Sequence, residues 1–296
     1  MKRCCKINIT ALTDKMIRFA IALTLLLVVC SGLHSVTAFF SDCQSAHQVH
    51  QQVVEKIAKF NPSTIFIGGD ITQNGSRQEE FDRFFEVMRP LTDKAEVFPA
   101  MGNHDKDTDL FLKSFPQVDS LTYYSVDREG VVWIILNSNL KLAPGSAQYN
   151  WLVQNLEANN DRTVIIVMHH PVYSSGPHGD EKGFNLLFPS LFKRYSVAAV
   201  LSGHDHMYER SVKDSINYVV FGGGGYKLYD SVSRNDYAVV TRKTHGFLIF
   251  RAENEIMNVT AYNLSDEVID SFSFAIQSAA ATDTQTRSES IEDPVD

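Results

Sequence analysis

Outside its first 30 residues, this 296-residue sequence has a single cysteine, Cys43. One cysteine closes no internal disulfide, so stability has to come from a hydrophobic core. No Gly-x-Ser-x-Gly occurs, which removes the elbow of a serine nucleophile. Basic residues are outnumbered, 27 Lys and Arg against 35 Asp and Glu, for a net charge of −8. An acidic chain is a poor generic binder of nucleic acid or anionic lipid, so no nucleic-acid partner is expected. With 44% hydrophobic and 21% charged residues, the composition is that of a globular protein. The length allows one or two domains.

The N-terminus lacks a full membrane span. Phe19 to Val29 is apolar and Cys30-Ser31-Gly32 is small, but the stretch falls short of the roughly 20 residues a spanning helix needs. Lys2, Arg3, Lys6, Lys15 and Arg18 precede or flank it against Asp14 alone, the pattern of a targeting segment over residues 1–32. Three readings fit: a cleaved signal peptide, an uncleaved anchor, or a lipoprotein in which Leu27-Val28-Val29-Cys30 imitates a lipobox. All three place the body outside the cytoplasm, as a secreted, periplasmic or cell-surface protein. Membrane contact is expected only if the segment stays attached or is lipidated. Removing it takes away five basic residues and one acidic, bringing the net charge to −12.

What is present is a set of five short apolar runs, each ending in a polar residue suited to metal binding or proton transfer. Val36–Phe40 leads to Ser41-Asp42, Thr64–Ile67 to Gly68-Gly69-Asp70, and Val97–Met101 to Gly102-Asn103-His104-Asp105. Val164–Met168 leads to His169-His170-Pro171, and Val197–Leu201 to Ser202-Gly203-His204-Asp205-His206. A β-branched run that stops at a polar residue reads as a buried strand delivering that side chain at its C-terminal end. Five such ends at one sheet edge would gather two Asp, one Asn and three His. That mixture of oxygen and imidazole suits two divalent cations bridged by a carboxylate.

Helical patterns alternate with the strands. His47–Phe60 places Val49, Val53, Ile57 and Phe60 on one face, and Asn61-Pro62 stops it. Ser76-Arg77-Gln78-Glu79 has the form of a capping box, followed by Phe81, Phe84, Phe85 and Met88 before Pro90. Further helices are expected at Ser146–Asn160 and Phe184–Tyr195, and a strand at Val131–Leu136. After Ser215 come strands alone, at Tyr218–Phe221, Tyr237–Thr241, Gly246–Arg251, Ile256–Tyr262 and Val268–Phe274, which predict a second, mainly antiparallel sheet packed on the first. Residues 277–296 have the composition of a tail without a core. The expected organisation is a targeting segment at 1–32, one domain at 36–276, and the tail.

In order, Gly69-Asp70, Gly102-Asn103-His104-Asp105, His169-x-Pro171 and Gly203-His204-x-His206 resemble the blocks of the calcineurin-like metallophosphoesterases. Met168–Tyr173 and Gly203–Arg210 resemble the purple-acid-phosphatase branch. The resemblance implies an α/β fold, a four-layer α-β-β-α sandwich of two mixed β-sheets flanked by helices. It implies that Asp70 bridges two divalent metals, that Asp42 and His206 complete the first, and that Asn103, His169 and His204 hold the second. It implies a hydroxide between the metals as nucleophile and His104 as the acid that protonates the leaving group. The activity implied is hydrolysis of phosphate esters, monoesters first. A phosphodiesterase acting on nucleotides or lipids is the nearest alternative, and a non-catalytic scaffold a more distant one.

Two departures stand out. Many members have Asp-x-His at the first motif, where this chain has Asp42-Cys43-Gln44, so Gln44 offers only an amide oxygen as a candidate ligand. Purple acid phosphatases supply a Tyr three residues after the bridging Asp, where this chain has Gln73, so no purple colour is expected. The metals remain open among manganese, iron and zinc, an oxygen-rich first site favouring the harder ion. His178, in Ser174–Gly179, is a candidate for substrate phosphate; His170 carries no assigned role, and Asp105 reads equally as an orienting group or a turn residue. Gly222–Gly225 with Lys227 lacks the Gly-Lys-Ser/Thr of a phosphate loop and reads as a turn near the site rim.

Overall fold

A computed structural model describes residues 35–277 other than 46, 106, 107, 119, 181 and 182. The targeting segment read at 1–32 and the tail from 278 onward lie outside the described residues.

β1 (Val36–Phe40), β2 (Thr64–Ile67) and β3 (Glu96–Pro99) lie parallel and in register, Phe40 beside Ile67 and Ile67 beside Pro99. The other edge of β1 is extended by β11 (Gly246–Glu253), β12 (Ile256–Asn263) and β13 (Val268–Ala275), all antiparallel, giving a six-stranded sheet. A seven-stranded sheet has at its centre β5 (Val131–Leu136), β6 (Val164–Met168), β7 (Val197–Ser202) and β9 (Ile216–Phe221), mutually parallel. Antiparallel strands finish its edges, β4 (Tyr124–Arg128) on one side, β8 (Tyr208–Lys213) and β10 (Ala238–Arg242) on the other.

The two sheets face each other through aromatic rings. Phe66 stacks on Trp133 at 4.0 Å between centroids, and Phe250 meets Trp133 edge-on at 5.3 Å. Alternation along each strand turns the next residue outward. On one outer face Phe40 meets His50 of α1 (His47–Ala58), which stacks on Phe84 of α2 (Gln78–Thr92). On the other, Val132, Ile134 and Leu136 pack with Leu152 and Leu156 of α4 (Ala147–Ala158) and with Phe188 and Phe192 of α5 (Phe184–Arg194). A short α3 (Thr108–Ser114) lies between β3 and β4. This is the expected four-layer α/β sandwich of two mixed sheets.

Several local expectations are corrected. The C-terminal strands do not form a sheet of their own. β9 and β10 join the larger sheet, and β11–β13 continue the one that carries β1–β3. The third run is a strand only over Glu96–Pro99, and Ala100 N gives a last bond to Ile67 O at 2.7 Å before the chain enters the turn. No capping box forms at Ser76, because the carboxylate that reaches back belongs to Glu80. Its Oε2 accepts from the Gln73 and Asn74 N–H groups at 2.6 and 3.0 Å. α2 also runs through Pro90 to Thr92, its last turn held by buried Leu91. At the end of the described chain, Gln277 exchanges two hydrogen bonds with Thr163.

Candidate metal centre

All five polar turns sit at the C-terminal ends of parallel strands. Three side chains there are held with left-handed backbone, Asp42 at φ 60°, Asp70 at 52° and His204 at 69°. Such conformations are unfavourable away from glycine and persist only where the surroundings fix them. Here the turns fix one another. Asp42 N donates to Gly69 O at 3.0 Å, His104 N to Asp70 Oδ1 at 2.8 Å, and His204 N to both Asp42 oxygens at 3.1 and 3.0 Å. Gly69 (φ 94°) lets β2 turn directly against β3 and β6, since a Cβ there would lie 2.8 Å from both Gly102 N and His169 Nδ1. The bonds of Asp42 to His204, and of His169 to the Gly68 carbonyl (2.9 Å), stitch the two sheets together at this edge.

Asp70, Asn103, His169 and His204 converge. His169 Nε2 lies 2.9 Å from Asn103 Oδ1, 3.2 Å from His204 Nδ1 and 3.3 Å from Asp70 Oδ2. Asp70, His169 and His204 offer ligand atoms within 4.8 Å of one another. Burial opposes a charge on His169, but Asp70 outweighs it and pushes the imidazole up to about 10. Burial likewise opposes the Asp70 carboxylate, and His169 more than offsets it, so Asp70 is lowered. His204 is driven far down by burial and by the neighbouring imidazoles of His169 and His170.

Asp42 and His206 form a second pair, Oδ1 to Nε2, at 3.4 Å. His206 Nδ1 is 2.9 Å from the Lys227 carbonyl, which fixes that nitrogen as the donor and turns Nε2 to Asp42. Gln44 is buried beside them. Its Nε2 donates to Asp70 Oδ2 at 3.4 Å, and its Oε1 has no hydrogen-bond partner. Gln73 is engaged elsewhere, its Oε1 accepting from Ser45 Oγ at 2.5 Å.

His104 stands apart from both sets. Its Nδ1 is 3.0 Å from the Gln73 carbonyl and 3.2 Å from Gln73 Nε2, so Gln73 holds that nitrogen through both backbone and side chain and leaves Nε2 to face outward. The fully buried Asp105 clamps this turn, accepting from the N–H groups of Ile71, Thr72 and Gly102 and from Thr72 Oγ1. Burial, and then Asp70, push Asp105 up to about 6. Its role is thus to orient the Asp70 and Asn103 turns together.

The donor set fits divalent metal: a carboxylate, an amide oxygen and two imidazoles around one point, and a carboxylate with an imidazole beside an unsatisfied amide oxygen around another. Comparison with known proteins agrees. Residues 35–208 match the model of the calcineurin-like phosphoesterases. The chain belongs to that family.

Within the family it is similar to a probable purple acid phosphatase, number 20, of Arabidopsis thaliana, at 28% identity over 54% of this chain and 43% of the relative. The chain thus spans less than half the length of that curated relative. Its fold is similar to a purple acid phosphatase from yellow lupin (Lupinus luteus) seeds, with a TM-score of 0.71 at 19% identity over 81% of this chain and 53% of the other. GAP50, the anchor in the inner membrane complex of Plasmodium, is comparably similar, with a TM-score of 0.70 at 16% identity over 82% and 89%. At those identities the likeness is one of fold.

Against the family pattern, the remaining candidates are placed as follows. His178 reaches the centre from the rim, its ring 4.3 Å from that of His204 and its side chain 37% exposed. His170 turns to Ser138, whose Oγ is 2.7 Å from its Nδ1. Cys43 is buried and directs its thiol at the Ile71 carbonyl, and burial, with Asp105 and Asp42, raises its pKa well above the ordinary value. The Gly222–Gly225 run is a packing device. A Cβ on Gly224 would sit 2.2 Å from Ser41 O, so the run is the backing of the Asp42 turn.

Sequence reasoning missed two tyrosines. Tyr229 stacks on His206 at 4.2 Å, and Tyr226 meets the same ring edge-on at 4.9 Å. Their only signal was a position just past the glycine run.

Proposed function

We propose that the chain is an exported, metal-dependent phosphoesterase that hydrolyses phosphate esters, monoesters in preference to diesters. The observation that carries this reading is the approach of Asn103, His204 and Asp70 to within 3.3 Å of His169 Nε2. Asp70, Asn103, His169 and His204 would hold one divalent cation. Asp42, Asp70 and His206 would hold the other, with the Gln44 amide oxygen as a weaker addition. When bound, two such ions polarise phosphoryl oxygens and activate water for in-line attack. His104, anchored at Nδ1 by Gln73, offers its Nε2 proton to the departing oxygen, an effect typically worth about 10²–10⁴-fold. His178, whose ring is 4.3 Å from that of His204, would contact the phosphate from the rim. The monoester preference is supported by the phosphatase relatives and by the blocks Met168–Tyr173 and Gly203–Arg210. Export is supported by the sequence of residues 1–32 alone; among the described residues no helix is long and apolar enough to cross a membrane.

The test is hydrolysis of aryl and alkyl monoesters and diesters by metal-free and metal-reconstituted protein. Chelation should abolish turnover, and manganese should restore it at least as well as zinc. Activity that survives exhaustive chelation refutes the reading. Turnover confined to diesters makes the chain a phosphodiesterase, and none with any metal makes it a scaffold.

A further inference from the structure

Asp205 lies between two proposed ligands, His204 and His206, yet its carboxylate serves a different segment. Fully buried, it accepts from Ser174 Oγ at 2.5 Å, His178 N at 3.1 Å and Gly179 N at 3.3 Å, and it lies 3.0 Å from His178 Nδ1. Taking a carboxylate out of water is unfavourable unless donors match its oxygens. Every one of these donors comes from the short loop that follows β6 and carries His178.

A second buried carboxylate grips the same loop. Glu209 accepts from Ser175 N at 3.3 Å and from the Ser175 hydroxyl, while Asn235 Nδ2 donates to its other oxygen at 2.7 Å. The Ser175 carbonyl in turn accepts from Val232 N and Ser233 N. The loop is therefore fastened at both ends of its apex before any substrate arrives.

An ionised carboxylate only accepts, so the proton facing Asp205 sits on Nδ1, and Nε2 is the ring nitrogen left for a substrate. The ring is further confined between His204 at 4.3 Å and Tyr229 at 5.6 Å. We propose that Asp205 is a positioning residue that fixes the rotamer and tautomer of His178, presenting Nε2 to the phosphate of the substrate. The inference rests on the phosphate contact proposed above for His178.

The experiment uses the full chain as parent, Asp205→Asn, His178→Ala and the double variant. Inorganic phosphate binding is measured by calorimetry on metal-reconstituted protein, with metal content per chain and KM and kcat on an aryl monoester. The His178 ring tautomer is read from nitrogen-15 spectra of the metal-free chain. Asp205→Asn should weaken phosphate binding about 10- to 100-fold, raise KM more than it lowers kcat, and leave metal content unchanged. The double variant should be no worse than His178→Ala, because one residue acts through the other. Additive losses, or metal lost with Asp205→Asn, overturn the inference. If His178→Ala leaves phosphate affinity unchanged, the phosphate contact fails, and the spectra alone decide Asp205. A tautomer that becomes mixed in Asp205→Asn then supports positioning, and an unchanged one overturns it. The parent spectrum needs no variant to fold: a His178 protonated on Nε2 alone overturns the inference.

Discussion

His204 Nδ1 and His169 Nε2 face each other across 3.2 Å. The Gly68 carbonyl claims His169 Nδ1, so His169 Nε2 is the nitrogen turned towards the centre. Asp70 pushes His169 up to about 10, and the proton on its Nε2 faces Asn103 Oδ1 at 2.9 Å and Asp70 Oδ2 at 3.3 Å as well as the His204 nitrogen. The proton thus occupies the place in which a cation would meet both lone pairs, and metal uptake has to expel it.

The His104 ring contacts the Gln73 carbonyl and its main-chain N–H donates to the Asp70 carboxylate, while the ring contributes nothing to the convergence around His169. His104→Ala is expected to lose about 10²-fold or more in turnover on alkyl phosphates while keeping its metals. The loss should shrink for aryl phosphates, whose leaving groups need less protonation. Steady-state kinetics on both classes, with metal analysis, decide it; equal losses remove His104 from the acid role.

Gln44 Oε1 is buried beside Asp70 without a partner. Gln44→His should put an imidazole there and tighten zinc or iron at the first site, bringing metal content towards two per chain. Asp42→Asn should act oppositely, by removing an anionic ligand. Metal content and preference unchanged in both variants would mean that this turn does not line the site.

Gly224 donates its N–H to Ser41 O at 2.8 Å, and a Cβ would lie 2.2 Å from that same oxygen. Gly224→Ala should therefore displace the Asp42 turn, costing about 1–3 kcal/mol of stability and weakening the first metal more than the second. Denaturant midpoints and metal titration measure the two effects. A variant with parental stability and metal content contradicts the packing role.

His50 is buried between Phe40 and Phe84, and burial, with His47 close by, lowers it from 6.5 to about 3. Between those pH values the unfolded chain binds the extra proton, so this group's stabilisation is present above about 6.5 and lost as the pH falls towards 3. The slope approaches about 1.4 kcal/mol per pH unit. His50→Leu should flatten the acid side of the stability curve, measured as urea midpoints from pH 7 to pH 4. An unchanged slope would place the acid sensitivity elsewhere.

The ligand-bearing strands were legible because each is an apolar run cut off by a polar residue, a contrast that only a buried strand end creates. β4 and β8 were not, since Tyr124–Arg128 alternates polar and apolar residues at a sheet edge and Tyr208–Lys213, next to an edge, carries three successive polar residues, Glu209-Arg210-Ser211. Ser76 and Glu79 had the right spacing for a cap, but Glu80 won by binding two backbone donors of the turn beside His104. The division of the C-terminal strands between two sheets depends on which edges were open, and local pattern carries no record of that. Asp205 and Glu209 passed as spacers because their partners lie 26 to 34 residues away in the chain. Tyr226 and Tyr229 had no motif at all.

The in-register pairing of Phe40, Ile67 and Pro99 makes this edge intolerant of changes in length. Deleting one residue inside β2 would withdraw Asp70 by about 3.3 Å and turn its side chain to the opposite face. The far edge is free of that constraint. The Asn254–Glu255 turn between β11 and β12, and the connection from α1 to β2, can lengthen without moving a ligand. Insertions, fused domains and circular permutation should therefore be accepted on that side of the sandwich and rejected on the other.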